Sequence, residues 1–189
     1  MSQTLLISRD DIIEYRSISA NINASKKLDP YVLEAQEVDL KNLLGNSLYN
    51  ALVNDFDGVP SLSTYADLFN GSSWECGGKT YYHRGVKVVL IYFAYARYLI
   101  NSPLESTGFG TVVKKDQYSE VQDQKALQRN FDETIKLALA FWDDVKCYLD
   151  QSSIDLWNCA IQPNYTRISA ADNLRHGNYR HTFKDRYSR

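Results

Sequence analysis

The stretch VKVVLIYFAYARYLI, residues Val86 to Ile100, decides how this chain folds. It is apolar around nearly its whole circumference, which marks a helix buried on most sides rather than a surface helix with one greasy stripe. At about 15 residues, with Lys87 and Arg97 inside it, it falls short of the roughly 20 apolar residues that a membrane span needs. It therefore predicts a central helix around which the rest packs. Downstream, from about Asp123 to Asp150, Leu127, Phe131, Ile135, Ala138, Trp142, Val145 and Leu149 recur at spacings of three and four, the signature of an amphipathic helix. Arg129, Asp132, Glu133, Lys136, Asp143 and Lys146 form its solvated face.

Upstream, Asp29 is placed to cap a helix, Pro30 sits at its first position, where a missing N–H costs nothing, and Gly45 ends it. On a wheel at about 100° per residue, Val32, Leu33, Leu40, Leu43 and Leu44 share one face, while Tyr31, Ala35 and Val38 share another nearly opposite. Such a helix is either sandwiched in its own domain or shared with a neighbouring subunit. Ser8 before Arg9-Asp10-Asp11 caps a shorter helix, and further helices are expected over Ser47–Asp55 and Leu62–Asn70, the latter stopped by Gly71. Between Trp74 and Tyr82, the pair Gly77-Gly78 separates two short β-favouring runs and predicts a hairpin. Pro103 to Glu120 reads as a long loop, of a length that tends to be functional or mobile. The fold class expected is mainly α: a small helical bundle over 1–150 with a short β-hairpin near 73–83, and a long extended C-terminal arm over 151–189.

The chain has 189 residues, 44% of them hydrophobic, with 14 Tyr and a net charge of −2. That balance excludes a protein that wraps nucleic acid with its whole surface. The charge is unevenly spread. Residues 163–189 hold six Lys or Arg against Asp172 and Asp185, a net of +4, which leaves −6 to residues 1–162. Tyr165, Tyr179, Phe183 and Tyr187 interleave Arg167, Arg175, Arg180 and Arg186 without helical or strand period. This pattern suits docking onto a protein surface, where Tyr and Arg are favoured. Tracking a nucleic acid backbone and serving as a solubilising tail are the alternatives. Tyr92, Tyr95 and Tyr98 belong instead to the buried central helix.

Leu5-Leu6-Ile7 is too short for a signal-peptide core, so no export signal is expected. Cys76, Cys147 and Cys159 match no zinc or redox spacing and read as reduced, partly buried thiols. Gly77-Gly78-Lys79-Thr80 resembles the end of a phosphate-binding loop, but Ser73 stands where its first glycine belongs, and a tight turn explains it better. His83, His176 and His181 lack acidic or thiol partners at ligand spacing and read as surface histidines. Asp10-Asp11 and Asp143-Asp144 lie on helices, where adjacent side chains diverge. Trp74, Tyr81 and Tyr82 are either hairpin packing or an exposed aromatic anchor. These residues nominate no catalytic group, no metal site and no cofactor, and an enzyme is not expected.

The run Lys27-Leu28-Asp29-Pro30-Tyr31-Val32-Leu33-Glu34-Ala35-Gln36, continued by Asp39-Leu40 and Leu43-Leu44-Gly45-Asn46-Ser47-Leu48-Tyr49, resembles the head–tail connector (adaptor, or head-completion) proteins of tailed bacteriophages. Gly85-Val86-Lys87 and Tyr92-Phe93-Ala94-Tyr95-Ala96-Arg97-Tyr98 agree with that family, closest in flavour to versions from crAss-like phages. The resemblance spans about residues 5 to 150. It implies a structural virion protein without catalysis, made in the host bacterial cytoplasm and located at the head–tail junction. There it would form a ring, typically of twelve copies, beneath the portal, extending the DNA channel and meeting the next tail component. Passing genomic DNA would be touched without sequence specificity, and no membrane is involved. A ring repeated head to tail joins two different patches of one chain. Tyr31, Ala35 and Val38 are expected to supply one, and Phe109, Thr111, Val112, Val113, Lys114 and Lys115 the other. The arm is expected to dock on the portal or a neighbouring subunit. The rival reading is a small helical DNA-binding or packaging-accessory protein.

Overall fold

Helix α7 (Gly85–Asn101) runs through the middle of the molecule, with Val86, Val88, Val89, Leu90, Ile91, Phe93, Ala94 and Ala96 all buried. The structure, a computed structural model, describes residues 4–18, 24–102, 104–107, 110–113, 123–152 and 154–160. Along α7 lies α8 (Gln124–Gln151), its largest packing partner, which buries Ile135, Ala138, Leu139, Trp142, Val145 and Leu149. The fold is mainly α, and the helices around α7 share one hydrophobic core. Tyr92, Tyr95 and Tyr98 are not inside it: they are half-buried along the outer side of α7.

Helix α1 (Arg9–Tyr15) is capped by Ser8 in a reciprocal box with Asp11. The Asp11 side chain accepts from the Ser8 backbone N–H at 2.7 Å, and the Ser8 hydroxyl accepts from the Asp11 N–H at 3.3 Å. Lys87 reaches the same carboxylate at 2.6 Å and so ties α1 to α7.

The short α2 (Ala24–Lys27) leads into α3 (Asp29–Glu34), where Asp29 is the first helical residue and not the cap. Leu28 is fully buried, its N–H bonds the Ala24 carbonyl, and its own carbonyl already accepts from Tyr31 and Val32. With backbone hydrogen bonds running through Leu28, there is no side-chain cap for Asp29 to make. Ala35–Leu40 then form a π-helical turn before α4 (Lys41–Leu44). In an α-helix, residues four apart drift by about 40° around the axis. The wider π winding removes much of that drift, which aligns Val32, Gln36, Leu40 and Leu44, all buried. Gln36 is the polar member. Its side chain accepts from the Leu6 N–H at 2.8 Å and donates to the Thr4 carbonyl at 3.1 Å, clamping the N-terminal segment to the helix.

Helices α5 (Asn46–Asp55) and α6 (Ser63–Asn70) follow, joined by an exposed loop. Strands β1 (Ser73–Cys76) and β2 (Lys79–Tyr82) pair antiparallel with Cys76 opposite Lys79. The turn is therefore Gly77-Gly78, with φ of 59° and 73°, the double positive φ that a two-residue hairpin turn requires. After α7, the segment expected as a plain loop contains a second hairpin, β3 (Leu104–Thr107) with β4 (Gly110–Val113). The β-branched Thr111-Val112-Val113 pair there with Ser106, Glu105 and Leu104.

The helical body does not end at residue 150. Helix α9 (Asp155–Ala160) folds back against α5. Trp157 is only 1% exposed, and its ring meets Trp142 edge-on at 6.1 Å. Six residues are too few for a periodicity signal, so α9 is invisible in a sequence that otherwise loses its pattern at Gln151. Among the described residues no helix is long and apolar enough to cross a membrane.

Candidate functional site

The end of α6 and the start of α7 meet backbone to backbone. At Gly71 a Cβ would come within 2.5 Å of the His83 carbonyl oxygen. At Gly85, where φ is +76°, a Cβ would collide with the Phe69 carbonyl oxygen and lie 2.5 Å from the Gly71 nitrogen. Only glycine serves at this seam. His83 bridges it, with its backbone N–H bound to the Ser72 carbonyl at 3.0 Å. The ring Nδ1 accepts from the Gly85 N–H at 3.2 Å, which leaves the proton on Nε2, facing the Ser72 hydroxyl at 3.0 Å.

The imidazole stacks on Tyr148 at 4.2 Å and tilts against Trp74 at 5.8 Å, while Trp74 stacks on Tyr81 at 5.6 Å. Burial pushes the His83 pKa down, against a weaker upward pull from Asp67. His83 is thus a buried, neutral, fully bonded histidine rather than a surface one, and it anchors the β1–β2 hairpin to the body. The aromatic residues divide accordingly. Trp74 packs inward, whereas Tyr82 is 73% exposed.

In front of this seam opens a shallow groove of about 500 Å³ lined by Tyr15, the turn from Asn70 to Ser73, Tyr82, His83 and Arg84. Its rim continues as a ladder of cations and rings. The Arg84 guanidinium lies 5.5 Å from the Phe141 ring, Phe141 meets Tyr92 edge-on at 5.1 Å, and Arg16 lies 4.5 Å from the centre of the Tyr92 ring. Such contacts contribute about 0.5–1 kcal/mol each at exposed sites. They also leave most guanidinium N–H groups free for another acceptor.

At the far end of α7, Arg97 is used differently. It forks onto Asp39 at 2.8 and 3.1 Å and reaches Glu34 at 3.3 Å. Burial alone would lower the Arg97 pKa, but the hydrogen bonds to Asp39 and the charges of Asp39 and Glu34 carry it upward. The neighbouring Tyr49 donates to Glu37 at 2.9 Å, and burial first, then that bond, pushes its phenol up to about 12.

The residues expected to form one subunit patch separate. Val38 is 43% exposed, Tyr31 is half-buried, and Ala35 is completely buried. Ala35 is therefore no surface residue: the π turn rotates it into the chain's own core. Thr111, Val112 and Val113 lie on β4. Phe109, Lys114 and Lys115 fall outside the described residues, as do Tyr165, Arg167, Arg175, Tyr179, Arg180, Phe183, Arg186 and Tyr187 of the arm. Cys76 and Cys147 are exposed rather than partly buried, since one ends β1 beside the turn and the other lies on the solvent side of α8. The Arg84–Phe141–Tyr92–Arg16 ladder escapes sequence reading because its four members come from α7, α8, the residue before α7 and the residue after α1.

Among the described residues, no group of three or more His, Cys, Asp or Glu is placed to hold a metal ion. Residues 40–167, from the end of the π turn through both hairpins, α7, α8 and α9, match the Family of unknown function (DUF6712), and the chain belongs to it. No curated protein and no solved structure matches it.

Proposed function

We propose that this protein is a structural assembly subunit, a connector that forms a closed ring at the head–tail junction of a tailed phage and contacts the portal on one side and the next tail component on the other. The observation that carries this reading is the β1–β2 hairpin. A two-stranded hairpin is marginal on its own in water, yet this one is anchored through His83 and Trp74 and presents Tyr82 and most of its strand residues to solvent. A projection held at its base by His83 and Trp74, with the exposed Tyr82 ring beside that anchor, is the shape of a docking element. The sequence resemblance and the basic, tyrosine-bearing arm support the same reading.

Particle mass and projection images of the full chain at high concentration test it. Closed rings near twelve times 21.7 kDa are expected. A monomer or dimer that instead binds duplex DNA with a steep salt dependence is what the rival packaging-accessory reading requires.

A further inference from the structure

The surface around the groove is unusual in its charge. Beside the groove, Asp10 and Asp11 of α1 have cationic partners, and Asp67 of α6 places a negative charge close to His83. Arg16 and Arg84 have no carboxylate partner among the described residues, although the body to which they belong carries an excess of acids. The Arg16 Nε–H is buried without a hydrogen-bond partner. Both guanidiniums lie over aromatic rings, at 4.5 Å from Tyr92 for Arg16 and 5.5 Å from Phe141 for Arg84, which narrows the positions they sample before any partner arrives. Ile13, three residues before Arg16 on α1, and Leu137, one turn before Phe141 on α8, are both exposed. The patch therefore combines oriented arginines, aromatic rings and aliphatic margins, the composition of an interface centre rather than of a solvated face.

The complementary chemistry is present on the same chain. The loop between α5 and α6 carries an exposed Asp57, with Val59 at 64% and Leu62 at 57% exposure, both far more exposed than Ile13, Val38 or Leu137. It is an acid flanked by apolar groups, as the groove is arginine flanked by apolar groups. The loop enters α6 at Ser63, and the groove opens at the other end of that helix, at Asn70–Ser73. Two different patches on one chain are what head-to-tail packing joins.

We infer that the Asp57–Leu62 loop of one copy docks into the Tyr15–Tyr82–Arg84 groove of the next, with Asp57 meeting Arg84 and Val59 and Leu62 covering the Phe141 margin. This inference rests on the ring reading above and names the contact that closes each step of it.

Charge reversal tests it on the full chain, because both Arg84 and Asp57 are exposed and each reversal leaves the core untouched. R84D and D57R should each weaken self-association at least 10-fold by sedimentation velocity. The double variant R84D/D57R should recover most of it, since the pair is restored with its signs exchanged. Rings that persist in both single variants, or a double variant no better than either single one, would overturn this pairing and leave the ring reading intact. A wild-type chain that stays monomeric at the highest soluble concentration would overturn both.

Discussion

The two ends of α7 treat arginine in opposite ways. At the C-terminal end, Arg97 is saturated by its own chain, with two hydrogen bonds to Asp39 and one to Glu34 across more than fifty residues of sequence. At the N-terminal end, Arg84 lies against Phe141 and forms no ion pair among the described residues. A charge satisfied internally is part of how the chain holds itself, and a charge laid on an aromatic ring is available to something else. The first end should therefore answer to stability measurements and the second to association measurements.

The sharpest way to break that comparison is at the seam between the groove and the core. Gly85→Ala places a methyl group against the Phe69 carbonyl and at a φ of +76°. A loss of about 4 kcal/mol or more is expected by urea denaturation. A loss under about 1 kcal/mol would mean that the α6–α7 junction relaxes freely and that the groove is not a fixed shape.

Next in size is Asp39→Ala, which leaves a partly buried guanidinium with Glu34 alone. A cost of about 3 kcal/mol is expected, with self-association unchanged once the protein is folded. If Asp39→Ala costs no more than an exposed ion pair, roughly 0.5 kcal/mol, Arg97 is not an internal lock and the two ends of α7 are alike.

His83 provides a smaller, pH-dependent effect. Its pKa is lower in the folded than in the unfolded chain, so the unfolded state binds the extra proton first as pH falls. Its contribution is intact above about pH 6.5, declines as the pH drops below that value, and is fully lost once His83 itself protonates. Protonation at Nδ1 removes the acceptor for the Gly85 N–H and sets a positive charge at the positive end of the α7 dipole. The expected outcome is a decline in stability below about pH 6.5 that is absent in H83Q, with the His83 ring resonance titrating below its unfolded position. A ring that titrates at or above the unfolded value would remove the hairpin anchor from the comparison.

The smallest stability effect belongs to Arg84→Ala. Truncating this exposed side chain should lower unfolding free energy by no more than about 1 kcal/mol, the worth of its contact with Phe141, while weakening self-association. The opposite result, a destabilised chain that assembles normally, would make Arg84 a structural residue like Arg97.

Much of the architecture is legible in the amino-acid pattern. The all-round apolarity of Val86–Ile100 and the three-four spacing from Leu127 to Leu149 are long signals, and α7 and α8 appear within a residue or two of their expected bounds. Gly77-Gly78 is equally readable, because few arrangements need two consecutive positive φ values. The failures are local. A wheel at constant pitch puts Ala35 opposite the core, but the π turn changes the pitch between Ala35 and Leu40. The helix containing Trp157 is too short to announce itself. The Arg97–Asp39 pair and the His83 cluster join residues remote in sequence, and no periodicity reports such meetings.

Pattern, turn chemistry and charge are local properties, and they suffice for a helical body built on one buried helix, a tight glycine hairpin, and a division into acidic body and basic arm. Which charges are already satisfied is a matter of packing. Arg97 and Arg84 are indistinguishable in a composition, and it is packing that puts a carboxylate beside one and a phenyl ring beside the other. Whether a guanidinium is saturated or available depends on what lies within a few ångströms of it, and that distance is set by the fold.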